Sequence, residues 1–145
     1  MPSNSCLHFI TKLINFNGVK VIDYHFITDN EILITLSNQT SESTCPHCQT
    51  ITNKIHQDHY YRIRDIPMSS YDVFLNVNRR QFRCVNCQKV FSEELDFVKK
   101  RRTYTIRLAE KVIQEVVEDD ILNTAKRNGM TSREIETILK EKSQD

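Results

Sequence analysis

Four of the five cysteines fall in two matched pairs, Cys45-Pro46-His47-Cys48 and Cys84-Val85-Asn86-Cys87. Two residues between cysteines make a tight turn that aims both sulfurs at one point and leaves backbone amides free to hydrogen-bond the thiolates. Two such turns complete a tetrahedral four-thiolate site, so the pattern predicts one structural zinc ion held by Cys45, Cys48, Cys84 and Cys87. With four protein ligands no position is left for a reactive water, which argues against a catalytic metal. The spacer between the pairs is 35 residues, longer than the roughly 15–20 of the simplest pattern, and has room for a hairpin. Loop closure costs only the logarithm of that length, against a binding free energy on the order of 10 kcal/mol for structural zinc. The competing reading, buried thiols or redox dithiols, leaves the pairing of the pairs unexplained. His47, His56 and His59 are the substitute ligands to consider. His47 lies between two sulfurs and is expected to point away; the other two are expected at the surface. Cys6 is expected as an unliganded thiol.

A second kind of chemistry is ionic. The formal net charge is only +1, yet residues 79–107 carry nine basic groups against three acidic ones. The belt comprises Arg79, Arg80, Arg83, Lys89, Lys99, Lys100, Arg101, Arg102 and Arg107, interleaved with Phe82, Phe91, Phe97 and Tyr104. Cations at this density neutralise phosphates and release counterions. A solvated charge run is the bland alternative. The placement of Lys99-Lys100-Arg101-Arg102 between the cysteine region and the helical tail favours contact with nucleic acid.

The tail supplies a third signal. Ala125, Gly129, Met130, Ile135 and Ile138 stand at the offsets of a helix-turn-helix, and Thr131-Ser132-Arg133-Glu134 reads as the capped start of its second helix. Arg133, Glu134, Thr137 and Lys140 would face outward, toward a major groove. Thr124 and Asn128 occupy positions where apolar residues are commoner, and the tail carries six basic against nine acidic residues. Both facts suit the alternative of a plain helical hairpin used for packing or dimerisation.

The elements that must position these groups follow from periodicity. Leu7, Ile10, Leu13 and Ile14 predict an amphipathic helix over residues 5–14, stopped by Asn17-Gly18. Residues 19–27 and 32–36 predict a β-hairpin around Thr28-Asp29-Asn30-Glu31. Residues 60–66 and 71–82 predict two further strands, the second running unbroken to Cys84 with Val73, Leu75 and Val77 on one face and Arg80 and Phe82 on the other. Helical spacing begins near Thr103, with later helices from about 119 to 128 and 132 to 141. The fold class is therefore α+β: an N-terminal helix and hairpin (1–44), a zinc-ribbon-like β unit (45–98), and a basic linker with a helix-turn-helix (99–145). No apolar run approaches the roughly 20 residues of a membrane span, and residues 1–5 do not read as a signal peptide. A cytoplasmic protein is expected.

Cys-Pro-His-Cys at 45–48, Arg-Ile-Arg-Asp-Ile-Pro at 62–67 and Arg-Arg-Gln-Phe-Arg-Cys-Val-Asn-Cys-Gln-Lys-Val-Phe at 79–91 resemble the N-terminal zinc finger of the ISL-three family of bacterial insertion-sequence transposases. The resemblance covers about residues 20–140. It implies binding of double-stranded DNA at the terminal inverted repeats of a mobile element. Expected contacts are Arg79, Arg80, Arg83, Lys99, Lys100, Arg101, Arg102, Arg133 and Lys140. Full-length relatives continue into a domain with three acidic, metal-binding catalytic residues. Asp65, Asp72 and Asp96 lack that context, so no catalysis is expected of this chain. A second copy or a full-length transposase is a further expected partner; a membrane or small-molecule partner is not. A zinc-stabilised protein-interaction module or truncated regulator is the alternative function.

Overall fold

Nine strands and four helices order a computed structural model of the protein, which describes residues 2–144. In chain order they are α1 (Asn4–Ile14), β1 (Val19–Thr28), β2 (Glu31–Asn38), β3 (Ser43–Thr44), β4 (Ile51–Thr52), β5 (Ile55–Gln57), β6 (Tyr60–Met68), β7 (Tyr71–Asn78), β8 (Gln81–Arg83), β9 (Val90–Ser92), α2 (Ile106–Glu118), α3 (Ile121–Asn128) and α4 (Ser132–Ser143).

The main sheet has the order β1-β2-β7-β6. Two antiparallel hairpins, β1–β2 and β6–β7, are joined side by side through a parallel β2–β7 pairing that sets Ile32 beside Val73 and Ile34 beside Leu75. Alternation then does the sorting. Val73, Leu75 and Val77 point into the core with Ile34, Leu36 and Ile63, and α1 covers them with Leu7, Ile10 and Ile14. Ser3 caps the start of α1, Asn15 ends it in the left-handed region, and the Thr11 hydroxyl accepts the Val21 amide at 2.9 Å. That bond fixes the helix to the first strand.

Two expectations need correction. The N-terminal hairpin is not a unit apart: it shares one sheet and one core with residues 60–78, so position 44 divides nothing structural. The strand expected over 71–82 is also two strands. It breaks at Arg79-Arg80, where the chain leaves the main sheet for the three-stranded sheet β5-β8-β9 beside the cysteines. Both arginines are buried at that break, each 7% exposed.

The tail folds as three helices around Leu108, Val112, Ala125, Met130, Ile135 and Ile138, with Tyr104 beneath them. Side chains of Thr105, Asp120 and Thr131 cap the helix starts, the last with Glu134 in a reciprocal capping box. Gly129, at φ +63°, closes α3. Thr124 and Asn128 are fully buried despite their polarity. Asn128 donates to the Thr124 carbonyl at 2.9 Å and to Glu115, and accepts from Lys111 Nζ at 2.8 Å, so its buried amide is satisfied. No described helix is long and apolar enough to cross a membrane.

Candidate metal centre and nucleic-acid face

The two cysteine turns are built alike. The Cys45 amide donates to Thr50 O at 2.8 Å and Gln49 donates back to Cys45 O at 2.9 Å; the Cys84 amide donates to Lys89 O at 2.9 Å and Gln88 to Cys84 O at 3.1 Å. Gln49 and Gln88 both take left-handed backbone, at φ 63° and 64°. Amides of His47 and Asn86 each lie 3.4 Å from the first sulfur of their turn. All four sulfurs lie within 4.8 Å of one another, with Cys45–Cys87 at 3.7 Å and Cys48–Cys84 at 3.4 Å. Zinc–sulfur bonds of about 2.3 Å in a tetrahedron require sulfurs about 3.8 Å apart, so the cluster fits the ion. Phe82 and Phe91 stack at 5.9 Å and, with buried Cys45 and Cys84, form its small apolar support. His47 is exposed and outside the cluster, as are His56 and His59.

The second thiol of each turn is shifted, and in opposite directions. The Thr50 hydroxyl and backbone, then Asn86 and Cys84, hold the Cys48 thiol down to about 5. At Cys87 the Lys89 backbone favours the thiolate, but burial and the sulfurs of Cys84, Cys45 and Cys48 outweigh it and push the thiol up to about 11. A divalent ion bound by the four sulfurs favours their thiolate forms and displaces protons.

The basic belt separates into two populations. Arg79 and Arg80 were expected at phosphates, and the structure corrects this. Arg79 donates to the carbonyls of Glu93 at 2.9 Å and Val98 at 3.1 Å, and to the Tyr61 hydroxyl at 3.2 Å. Arg80 forks onto Glu93, Nε to Oε2 at 2.7 Å and Nη2 to Oε1 at 3.1 Å. Asn38 and the Arg80 amide complete the coordination of that carboxylate. These two arginines join the main sheet to the zinc unit. Arg107 is likewise committed: it grips buried Asp65 and donates to Ile14 O at 2.7 Å while lying 4.1 Å over Phe16.

Lys99, Lys100, Arg101, Arg133 and Lys140 are exposed. Arg83 is half-buried and donates to Gln88 O at 3.1 Å, bracing the second cysteine turn. Arg102 pairs with Glu141, which brings Lys99 and Arg102 to one cleft with Lys142 of α4. Arg133 lies at the other end of that helix, about 12 Å along its axis from Glu141. The buried structural roles of Asp65 and Glu93 are not among the expectations above. Asp65 had a visible signal: it shares strand parity with Ile63, so alternation turns both to the same buried face. A carboxylate there demands a cationic partner.

Comparison with known proteins bears on the centre directly. Residues 41–87 match the family described as the zinc-finger of transposase IS204/IS1001/IS1096/IS1165. The transposase for insertion sequence element IS1001 of Bordetella parapertussis is 27% identical over 97 residues, a stretch making up 67% of this chain and 24% of that protein. The chain thus matches about a quarter of that relative's length. No solved structure matches. Family match and sulfur geometry together identify the group held by the four cysteines as a structural zinc ion.

Proposed function

We propose that this chain, which carries the zinc ribbon of an ISL-three-type transposase, is the DNA-binding module that recognises the terminal inverted repeats of an insertion sequence. The observation that carries the reading is the tail. A capped α4 follows the left-handed Gly129 turn after α3, as in a helix-turn-helix, and the exposed cations of residues 99–101 lie between this tail and the transposase-type ribbon. In this reading α4 enters the major groove of double-stranded DNA, with Arg133 and Lys140 on its exposed face. Arg83, Lys99, Lys100 and Arg101 contact phosphates and supply most of the affinity, because the tail's own charge is negative. Arg102 contributes only what its pairing with Glu141 leaves free. Arg79 and Arg80 hold the scaffold and touch no DNA. No catalytic step is assigned to these residues.

A gel-shift titration against the element's terminal repeat and a scrambled duplex tests the proposal. Preferential, salt-sensitive binding to the repeat is expected; absence of binding to either duplex would end it. A second reading, a protein-interaction module, draws on the exposed Phe9, Leu13, Ile22 and Phe26 of α1 and β1. Sedimentation with and without duplex separates the two, since that reading expects self-association independent of DNA.

A further inference from the structure

The Arg-Ile-Arg-Asp-Ile-Pro run at 62–67 is unused by the zinc site and by the DNA contacts above. Its place in the fold is specific. β6 is an edge strand of the main sheet, and the chain entering α2 pairs with that edge: the Arg64 amide donates to Thr103 O at 2.8 Å and the Thr105 amide to Arg64 O at 2.9 Å. Successive side chains on β6 point to opposite faces, and the tail meets the strand on both. On one face Asp65, fully buried, accepts from the Thr105 hydroxyl at 2.8 Å and from Arg107 Nε at 2.9 Å. On the other face the Arg64 guanidinium lies 4.5 Å over the Phe74 ring and 3.6 Å from Asp72. There it packs under the α3–α4 turn. A β-carbon built on Gly129 would stand 2.5 Å from Arg64 Nη1. That nitrogen is sealed from solvent without a hydrogen-bond partner, held among the Phe74 ring, the Asp72 carboxylate and the α3–α4 turn.

One attachment, at the first turn of α2, would leave the three-helix tail a pivot. Ile66 of β6 adds an apolar contact with the tail's core, and the α3–α4 turn against Arg64 adds a polar one that restrains its orientation. The Arg102–Glu141 pair is partly exposed and screened, and adds little. We infer that Arg64 is a positioning residue that locks α4 to the main sheet, which the Arg79–Arg80–Glu93 hub joins to the zinc ribbon, so that the two DNA-contacting regions are read as one rigid body at fixed spacing. Residues 99–105 are then a strap and not a flexible linker. This inference rests on the DNA-binding reading above.

The test uses the full zinc-loaded chain and two readouts. Amide residual dipolar couplings ask whether residues 45–92 and 106–143 share one alignment tensor. Hydroxyl-radical footprints on the terminal-repeat duplex define the two protected stretches, and duplexes with five base pairs inserted between them rotate one stretch about half a helical turn from the other. Wild type is expected to fit one tensor and to lose affinity on the order of 100-fold on the inserted duplex. Arg64→Ala, with zinc content and helicity unchanged, is expected to need two tensors and to lose only about threefold. Should Arg64→Ala fail to fold, Arg64→Met carries the same comparison, because it keeps an aliphatic stem over Phe74 and removes only the guanidinium. Two tensors in wild type, or one tensor and an undiminished spacing penalty in the variants, would overturn the inference. If wild type fits one tensor and the variant two, but neither duplex is bound, the DNA reading fails and takes the spacing role with it, while the brace itself stands.

Discussion

Arg80 and Arg101 have the same side chain and opposite surroundings. The first is 7% exposed and forked onto a buried carboxylate; the second projects from a surface turn at φ 65°. Arg80→Ala leaves Glu93 charged and uncompensated in the interior, and chemical denaturation should record a loss of about 3–5 kcal/mol. Arg101→Ala should leave stability within about 0.5 kcal/mol, while flattening the salt dependence of DNA binding by about one unit of log–log slope. Sequence alone grouped these residues because a belt is a count of charges, and a count carries no burial. Only the carboxylate partner decides, and Glu93 lies 13 positions from Arg80 with no periodic relation to it. The zinc ligands were legible for the opposite reason. Each cysteine pair is a local turn, and two identical turns carry their geometry in their spacing.

At the scale of elements, the helices were read well and the sheet was not. The tail helices follow a local apolar period with Thr131 and Gly129 as caps, and α3 and α4 fall within about two residues of the expected bounds. The parallel β2–β7 pairing joins strands about 40 residues apart, and a period of two does not say which strand lies alongside. Polar Thr124 and Asn128 looked like defects in the tail pattern; the network with Lys111 and Glu115 shows them to be structural. Burial works to raise the Glu115 carboxyl, but hydrogen bonds from Lys111 and Asn128 and the charges of Lys111 and Arg127 outweigh it and hold the group below the ordinary glutamate range. A carboxyl depressed by folding contributes stability above its unfolded pKa and loses it as pH falls through the folded one. Acid unfolding followed by helical circular dichroism should therefore show a stability loss below about pH 4.5 that is smaller in Glu115→Gln. Equal acid sensitivity of the two proteins would contradict this role. Thr131→Ala removes the hydroxyl half of the α4 capping box, leaving the residue 131 amide to donate to Glu134, and should cost about 1 kcal/mol, read as a lower midpoint in the same assay.

For the whole molecule, the zinc unit and the main sheet differ in what holds them. The ribbon's buried apolar residues are Phe82 and Phe91 around the cysteines, whereas the sheet and α1 share a core of eleven buried residues. Chelation should therefore melt the ribbon while much of the helical signal persists, with one zinc released per chain. The hub of Arg79, Arg80 and Glu93 joins the two parts, so loss of the metal also frees Arg83 and the adjoining basic surface from their fixed direction. The four cysteines thus bear on recognition through position as well as stability. The most direct measurement is fluorescence anisotropy of a labelled terminal-repeat duplex titrated with zinc-loaded and zinc-stripped protein over a salt series. The loaded chain should bind the repeat more tightly than a scrambled duplex, with a log–log salt slope of about −3 to −4 for four phosphate contacts, and stripping should abolish the preference. A stripped chain that binds and discriminates as well as the loaded one would contradict the account.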